Sequence, residues 1–287
     1  KQRIAVMYAE GEIMPEAADQ SYSMTSFITE KMARELIKLK EDKAVKAVVI
    51  RVNSPGGSAY VSDQIWKQVK ALKEEKPVVV SMGNVAASGG YYISCAANQI
   101  VAEPNTLTGS IGVFGMFPNM TGLFEKLDVT SDVVKTHAFT DLGNIARPMT
   151  ADEKVLVQGA IERNYRTFLA RCAEGRGMSV EAIDAIGQGR VWTGEQALAN
   201  GLVDRLGDLD TAIQVAADLA DLSEYSIQSV SSSKHWWDKR LEEPLSGMRI
   251  SLMQWLLGDD YAQIQLLRQV RDAQGIWARL PFDWSVQ

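Results

Sequence analysis

The chain is poor in the residues that usually build metal centres and disulfide scaffolds. Its 287 residues include two cysteines, Cys95 and Cys172, and two histidines, His137 and His235. No Cys-x-x-Cys pair and no matching His spacing accompanies them, so neither a metal site nor a disulfide framework is expected. Both cysteines lie in apolar, helix-like settings and read as buried free thiols. Basic residues form no block, and a formal net charge of -6 with a pI near 5.2 excludes a nucleic-acid surface. Long hydrophobic runs are also missing. No stretch reaches the ~20 apolar residues of a membrane span, and the opening "KQRIAVMYAEGEI" has no signal-peptide core. It enters a strand at once, which reads as the start of a piece of something longer. No internal repeat stands out. What is present is 46% hydrophobic residues, ample for the core of one large α/β domain or of a domain with an appended tail.

The apolar patterning gives the order of elements. Ile4 to Ala9 is strand-like, and "GEIMPEAADQSYSMTS" follows as a polar loop. Phe27 to Leu39 has helical spacing, with Thr25 or Ser26 as its cap. Ala44 to Val52 is a nearly continuous apolar run, as in a strand covered on both faces. After "NSPGGS" come an amphipathic helix, Tyr60 to Glu75, and a strand, Pro77 to Met82. Strand, glycine-rich turn, helix and strand form a βαβ unit with parallel pairing. A short helix follows Ser88 through Ala97, and two short apolar runs flank turn residues in "QIVAEPNTLTGSIGVFG". Thr150 and Glu153 form a capping-box pattern that opens a long helix to about Arg176, ended by Gly175 or Gly177. A turn, a short helix from Glu195, the strand-like "GLVDRLG" and another helix follow. Beyond Asp221 the chain turns polar and Ser-rich, then amphipathic and helical up to Ala278. This gives a domain over residues 1–228 and a C-terminal amphipathic arm over 229–287.

Two small-residue turns carry the chemistry. "NSPGGS" follows a parallel-type strand but lacks the Gly-Lys-Ser/Thr of a P-loop and the G-x-G-x-x-G of a dinucleotide site. Gly56 and Gly57, without a Cβ, instead allow backbone N–H groups to approach a ligand closely, as an oxyanion hole requires. In "NVAASGGYY", Ser88 sits just past the next strand at a helix N-terminus, where free N–H groups favour an anion. Adjacent parallel strands put both turns at one carboxyl edge, where α/β sheets place their sites. Gly89 is positioned to donate a second oxyanion N–H. The residues alone leave two roles open for Ser88: nucleophile, or plain helix N-cap among residues small for packing.

"RVNSPGGS", "GNVAASGGYYISCAA", "EPNTLTGSIGVFG" and "GRVWTGEQALANGLVDRLGD", in this order, closely resemble the signal peptide peptidase A family, membrane-bound serine peptidases of the bacterial envelope. The resemblance covers about Arg3 to Leu222. It implies an α/β Clp protease/crotonase-like fold, with a parallel sheet of repeated units, flanking helices and a C-terminal helical arm. It further implies Ser88 as nucleophile, Gly57 and Gly89 as oxyanion donors, and a Ser/Lys dyad. No metal and no cofactor is implied. The arm looks like the end of the long, tandem form, in which the serine lies in the C-terminal copy.

One part of the family pattern is missing. Short-form members carry the dyad lysine after the glycine-rich block, where this chain reads "VVKTHAFTDLGNIARPMT". The aligned position falls near Ala138, and no lysine lies between Lys135 and Lys154. In the long form the base comes from the N-terminal half of the same protein, so half of an active site is expected here. Within the chain the alternatives are Lys135, at a solvated strand end, and His137, which would need an orienting acceptor such as Asp141. His235 lies in the arm, away from the site.

The resemblance therefore implies a serine endopeptidase for cleaved signal peptides and other apolar peptides. It also implies a homotetramer at the periplasmic face of the bacterial cytoplasmic membrane, anchored by an N-terminal segment. "GSIGVFGMFPNM" suits either a greasy pocket beside Ser88 or ordinary packing. Trp236, Trp237, Trp255, Trp277 and Trp284 suit either a membrane interface or packing on a neighbouring copy. The competing class is a crotonase-like scaffold or pseudoenzyme that binds a partner or an acyl ligand without cleaving it.

Overall fold

The computed structural model describes residues 2–16, 27–231 and 275–279. It divides into two compact units, one running to Val113 and resuming at Tyr165, the other comprising Phe114–Asn164 with residues 275–277. In the first unit the chain begins with β1 (Arg3–Glu10), β2 (Glu12–Ile13), β3 (Phe27–Ile28), α1 (Glu30–Glu41), β4 (Val45–Ser54) and β5 (Gly56–Ser58). It continues through α2 (Ala59–Lys73), β6 (Val78–Ala87), α3 (Gly89–Ser94), β7 (Gln99–Ala102) and β8 (Leu107–Gly109). The second unit holds β9 (Phe114–Met116), α4 (Thr121–Lys126) and the start of α5 (Ala151–Arg176). The first resumes along α5 and adds α6 (Val180–Ile186), β10 (Val191–Thr193), α7 (Gly194–Ala199), β11 (Arg205–Leu206), α8 (Leu209–Leu219) and β12 (Ser226–Ser231). β13 (Gly275–Arg279) pairs antiparallel with β9.

The main sheet has the order β10-β8-β6-β4-β1-β12, with β7 also on β6 and β11 on β7. Its pairings are parallel except for β10 on β8. Side chains alternate between the faces of a strand, and here both faces are covered. Ile4, Val6, Ala47, Val49 and Val79 pack under Ala212, Ile213 and Ala216 of α8. Ala5, Met7, Val48, Ile50 and Val80 face the other way, into a larger core with Leu36, Ile65, Tyr91 and Phe168. Each fully buried aliphatic side chain contributes about 1.5–3 kcal/mol, and burial on both faces explains why β4 reads as a nearly continuous apolar run.

Several boundaries differ from the sequence reading. α1 begins at Glu30 and is capped by Thr29, whose Oγ1 accepts the Lys31 N–H at 3.3 Å. The expected caps Thr25 and Ser26 lie outside the described residues, and Phe27–Ile28 is drawn into a strand because Ile28 pairs with Ile13. "GRVWT" holds β10, which the turn-like reading passed over. β6 continues past Met82 to Ala87 because it changes neighbour, pairing with β7 over residues 79–81 and with β8 over 85–87. At the crossing Asn53 Oδ1 accepts the Val85 N–H at 3.2 Å. The capping box forms as expected: the Glu153 N–H donates to Thr150 Oγ1 at 3.2 Å and the Thr150 N–H to Glu153 Oε2 at 2.8 Å. α5 ends where Gly177 takes φ +64°. Of the arm, residues 229–231 and 275–279 are described, and the latter form a strand where a helix was expected; His235, Trp236, Trp237, Trp255 and Trp284 lie outside the described residues.

Candidate active site

Ser88 joins the carboxyl end of β6 to α3 with φ 53° and ψ -114°. Such a backbone costs a residue carrying a Cβ about 1–3 kcal/mol and persists only where its surroundings enforce it. Two backbone bonds do so: the Ser88 N–H donates to the Gly109 carbonyl at 2.8 Å, and the Ser88 carbonyl accepts the Tyr92 N–H at 2.8 Å. The side chain does not cap α3. It is fully buried, and Oγ has no hydrogen-bond partner among the described residues. A buried hydroxyl left unsatisfied costs about 1–3 kcal/mol. Strain and an orphaned hydroxyl at one residue do not serve stability; together they make Ser88 the candidate for chemistry.

The glycine turn lies close by. Ser54, at the end of β4, pairs in register with Ala86 of β6, and α3 packs against β5. Gly90 makes that approach possible, since a Cβ there would lie 2.7 Å from the Ser54 carbonyl oxygen. Gly56 and Gly57 have φ +102° and +150°, in the range that favours glycine. The Gly56 N–H is engaged by Ser54 Oγ at 3.1 Å. Gly57 pairs with Ile13, and a Cβ on it would overlap the Ile13 carbonyl. Gly89, like Ser88, is buried. The fold thus gathers Ser88, Gly89 and the Gly57 turn at one carboxyl edge of the first unit.

The alternative bases lie in the second unit and are otherwise occupied. No strand forms around Lys135; its ammonium pairs with Asp141 Oδ1 at 2.7 Å, while Arg147 Nε donates to Asp141 Oδ2 at 2.8 Å. The hydrogen bonds from Arg147 and Lys135 hold the Asp141 carboxyl well below the usual carboxylate range. His137 is exposed, with Nδ1 3.3 Å from Thr136 Oγ1. The His137–Asp141 pairing that an imidazole base would need is not formed. Ala138, at the position aligned with the short-form lysine, is exposed in the same unit.

Two features of the site went unread in the sequence. One is the turn at Gly109 and Ser110, with φ +74° and +48°, which supplies the carbonyl bound by the Ser88 N–H; two small residues in "TGSIG" were its only local sign. The other is the anchoring of α3 by its two tyrosines. Tyr91 Oη donates to the Leu202 carbonyl at 2.9 Å, Tyr92 Oη donates to Asp63 Oδ1 at 3.0 Å, and the Tyr92 ring stacks on Phe168 at 4.5 Å between centroids. Burial, then the Asp63 carboxylate, pushes the Tyr92 phenol well above its ordinary range, so it remains a donor. Cys95 and Cys172 are buried free thiols, as expected.

A family model described as Clp protease matches residues 17–108. The chain is 43% identical to Protease 4 of Salmonella typhi, over 78% of this chain and 36% of that protein. It is 35% identical to the chloroplastic serine protease SPPA of Arabidopsis thaliana, over 98% of this chain and 41% of that protein. Protease 4 of Haemophilus influenzae is 38% identical, over 88% of this chain and 42% of that protein. The chain therefore spans about two fifths of the length of these relatives. Among solved structures, a mutant of the 1510-N membrane-bound stomatin-specific protease with a substrate peptide superposes with a TM-score of 0.54 at 16% identity, covering 86% of this chain and 99% of that one. A second mutant of that protease gives 0.52 at 16% identity, covering 81% and 99%. At that identity the likeness concerns the fold, which is Clp protease-like, a mixed α/β architecture on a mostly parallel sheet. With a strained, buried serine at the carboxyl edge of such a sheet, and with the model of peptidase family S49 matching residues 70–223, more than half of its length, the chain belongs to peptidase family S49.

Proposed function

We propose that this chain is the nucleophile-bearing part of a serine endopeptidase that cleaves apolar peptides, cleaved signal peptides among them. The observation that carries the reading is the Ser88 hydroxyl, fully buried and without a partner, on a backbone at φ 53°. In the proposed cycle a lysine amine takes the Ser88 Oγ proton as Oγ attacks the scissile carbonyl. The backbone N–H groups of Gly57 and Gly89 receive the developing oxyanion. The protonated lysine then gives its proton to the leaving amine, which breaks the peptide bond and leaves an acyl-serine. Water, deprotonated by the same lysine, releases the acid and regenerates Ser88. Burial suits such a lysine to the role, because desolvation lowers its pKa toward neutrality.

We assign that lysine to the N-terminal half of the full protein, not to Lys135, whose ammonium is held by Asp141. The relatives, more than twice as long as this chain, are consistent with a second half. Residues 1–228 would form the peptidase domain and residues 229–287 an arm packed on a neighbouring copy. A homotetramer at the periplasmic face of the cytoplasmic membrane, anchored through the N-terminal half, completes the proposal. Exposed Leu123, Leu127, Val134 and Phe139 in the second unit support assembly. Among the described residues no helix is long and apolar enough to cross a membrane.

Hydrolysis of a fluorogenic apolar peptide by the full-length protein tests the reading. Ser88→Ala is expected to abolish turnover, and Gly57→Ala to lower kcat roughly 100-fold by displacing an oxyanion donor. Turnover retained in Ser88→Ala would refute it.

A further inference from the structure

We infer that Tyr92, anchored on Asp63, is a positioning residue that holds Ser88 in its strained geometry. This rests on the peptidase reading above. α3 has six residues and begins with two glycines, whereas isolated helices shorter than about 12–15 residues are marginal. Nothing intrinsic to α3 would fix the residue that opens it. The bond on the Ser88 carbonyl runs to the Tyr92 N–H at 2.8 Å. The place of the Tyr92 backbone therefore sets the direction of the Ser88 peptide, and with it the aim of Oγ.

The Tyr92 side chain is gripped from two elements. Its hydroxyl donates to Asp63 of α2 at 3.0 Å, and its ring stacks on Phe168 of α5. Asp63 is itself fixed, by Lys67 Nζ at 2.8 Å on one oxygen and Arg171 Nε at 3.2 Å on the other. Arg171 lies over the Trp66 ring, with Cζ 4.1 Å from its centroid. Burial pushes the Asp63 carboxyl up, but hydrogen bonds from Lys67 and Tyr92 outweigh it, so the group stays an anion. The tie on Tyr92 is thus a bond to a charged acceptor, roughly twice as strong as a neutral one, while Tyr91 makes the neutral kind with Leu202. Asp63, Tyr92 and Arg171 lie 29 or more residues apart from one another along the chain, and none of them hydrogen-bonds Ser88 Oγ.

Tyr92→Phe is the direct test, because it deletes the hydroxyl and leaves the ring on Phe168. In the full-length protein, with folded sites counted by active-site titration, we expect kcat to fall about tenfold with KM unchanged. The thermal midpoint should shift by no more than a few degrees. Asp63→Ala should reproduce the loss, and the double variant should be no worse than the singles, as for two ends of one bond. A merely structural role would reduce the number of titratable sites and leave turnover per site untouched. That result, or wild-type kcat in Tyr92→Phe while Ser88→Ala is inactive, overturns the positioning role alone. Activity retained in Ser88→Ala removes the peptidase reading and this inference with it.

Discussion

Ser88 carries two local penalties, an unfavourable backbone and an unpartnered buried hydroxyl. The second can be removed without the first. Ser88→Ala keeps the φ of 53° but eliminates the orphaned oxygen, so it should stabilise the protein by about 1 kcal/mol in urea unfolding while losing hydrolysis. Destabilisation by a similar amount would mean that the hydroxyl has a stabilising partner after all. The sequence displayed the small residues around Ser88 plainly, and the resemblance implied a nucleophile rather than a cap. It did not display what enforces the geometry. The carbonyl of Gly109 reaches the Ser88 N–H from 21 residues away and the carboxylate of Asp63 reaches the Tyr92 hydroxyl from 29, and neither spacing has a local signature. Gly57 was legible as an oxyanion candidate, but its tight pairing with Ile13 needed the fold.

Among the elements, long strands with two buried faces were the most legible, because every second side chain of β1 and β4 enters one of two cores. Short strands were the least. β3, β10 and β13 are set by pairing with distant segments and carry too few residues to show a period. The start of α5 was read from its capping box, and the structure adds Arg147, which donates to both oxygens of Glu153 and to Asp141. The hydrogen bonds from Arg147 and from the Thr150 backbone hold the Glu153 carboxyl down to about 2, against an ordinary 4.5. A carboxyl depressed in the folded state contributes stability above its unfolded pKa, and that contribution fades as pH falls through the folded value. Thermal stability should therefore decline from about pH 4.5 toward pH 2 in part through this cluster. Arg147→Met should flatten that part of the profile, as followed by melting temperature against pH. An unchanged acid slope would remove the cluster from the balance.

For the molecule as a whole, the first unit contains the sheet, both apolar cores and all three proposed site residues, Ser88, Gly57 and Gly89. The second exposes much of its apolar surface and, among the described residues, buries no aliphatic or aromatic side chain fully. The two units thus differ in how much apolar surface their own packing buries. The proposed division of the site would build the serine on the well-packed unit and have its base brought by a partner.

The most direct measurement is covalent labelling with a fluorophosphonate probe, read by peptide mass spectrometry. In the full-length protein the probe should modify Ser88 alone, and Ser88→Ala should abolish labelling. Lys135→Ala should label like the wild type, whereas the isolated 287 residues should label at least tenfold more slowly. An intact full-length protein that leaves Ser88 unlabelled, or one whose labelling disappears with Lys135→Ala, would contradict a buried serine activated from outside this chain.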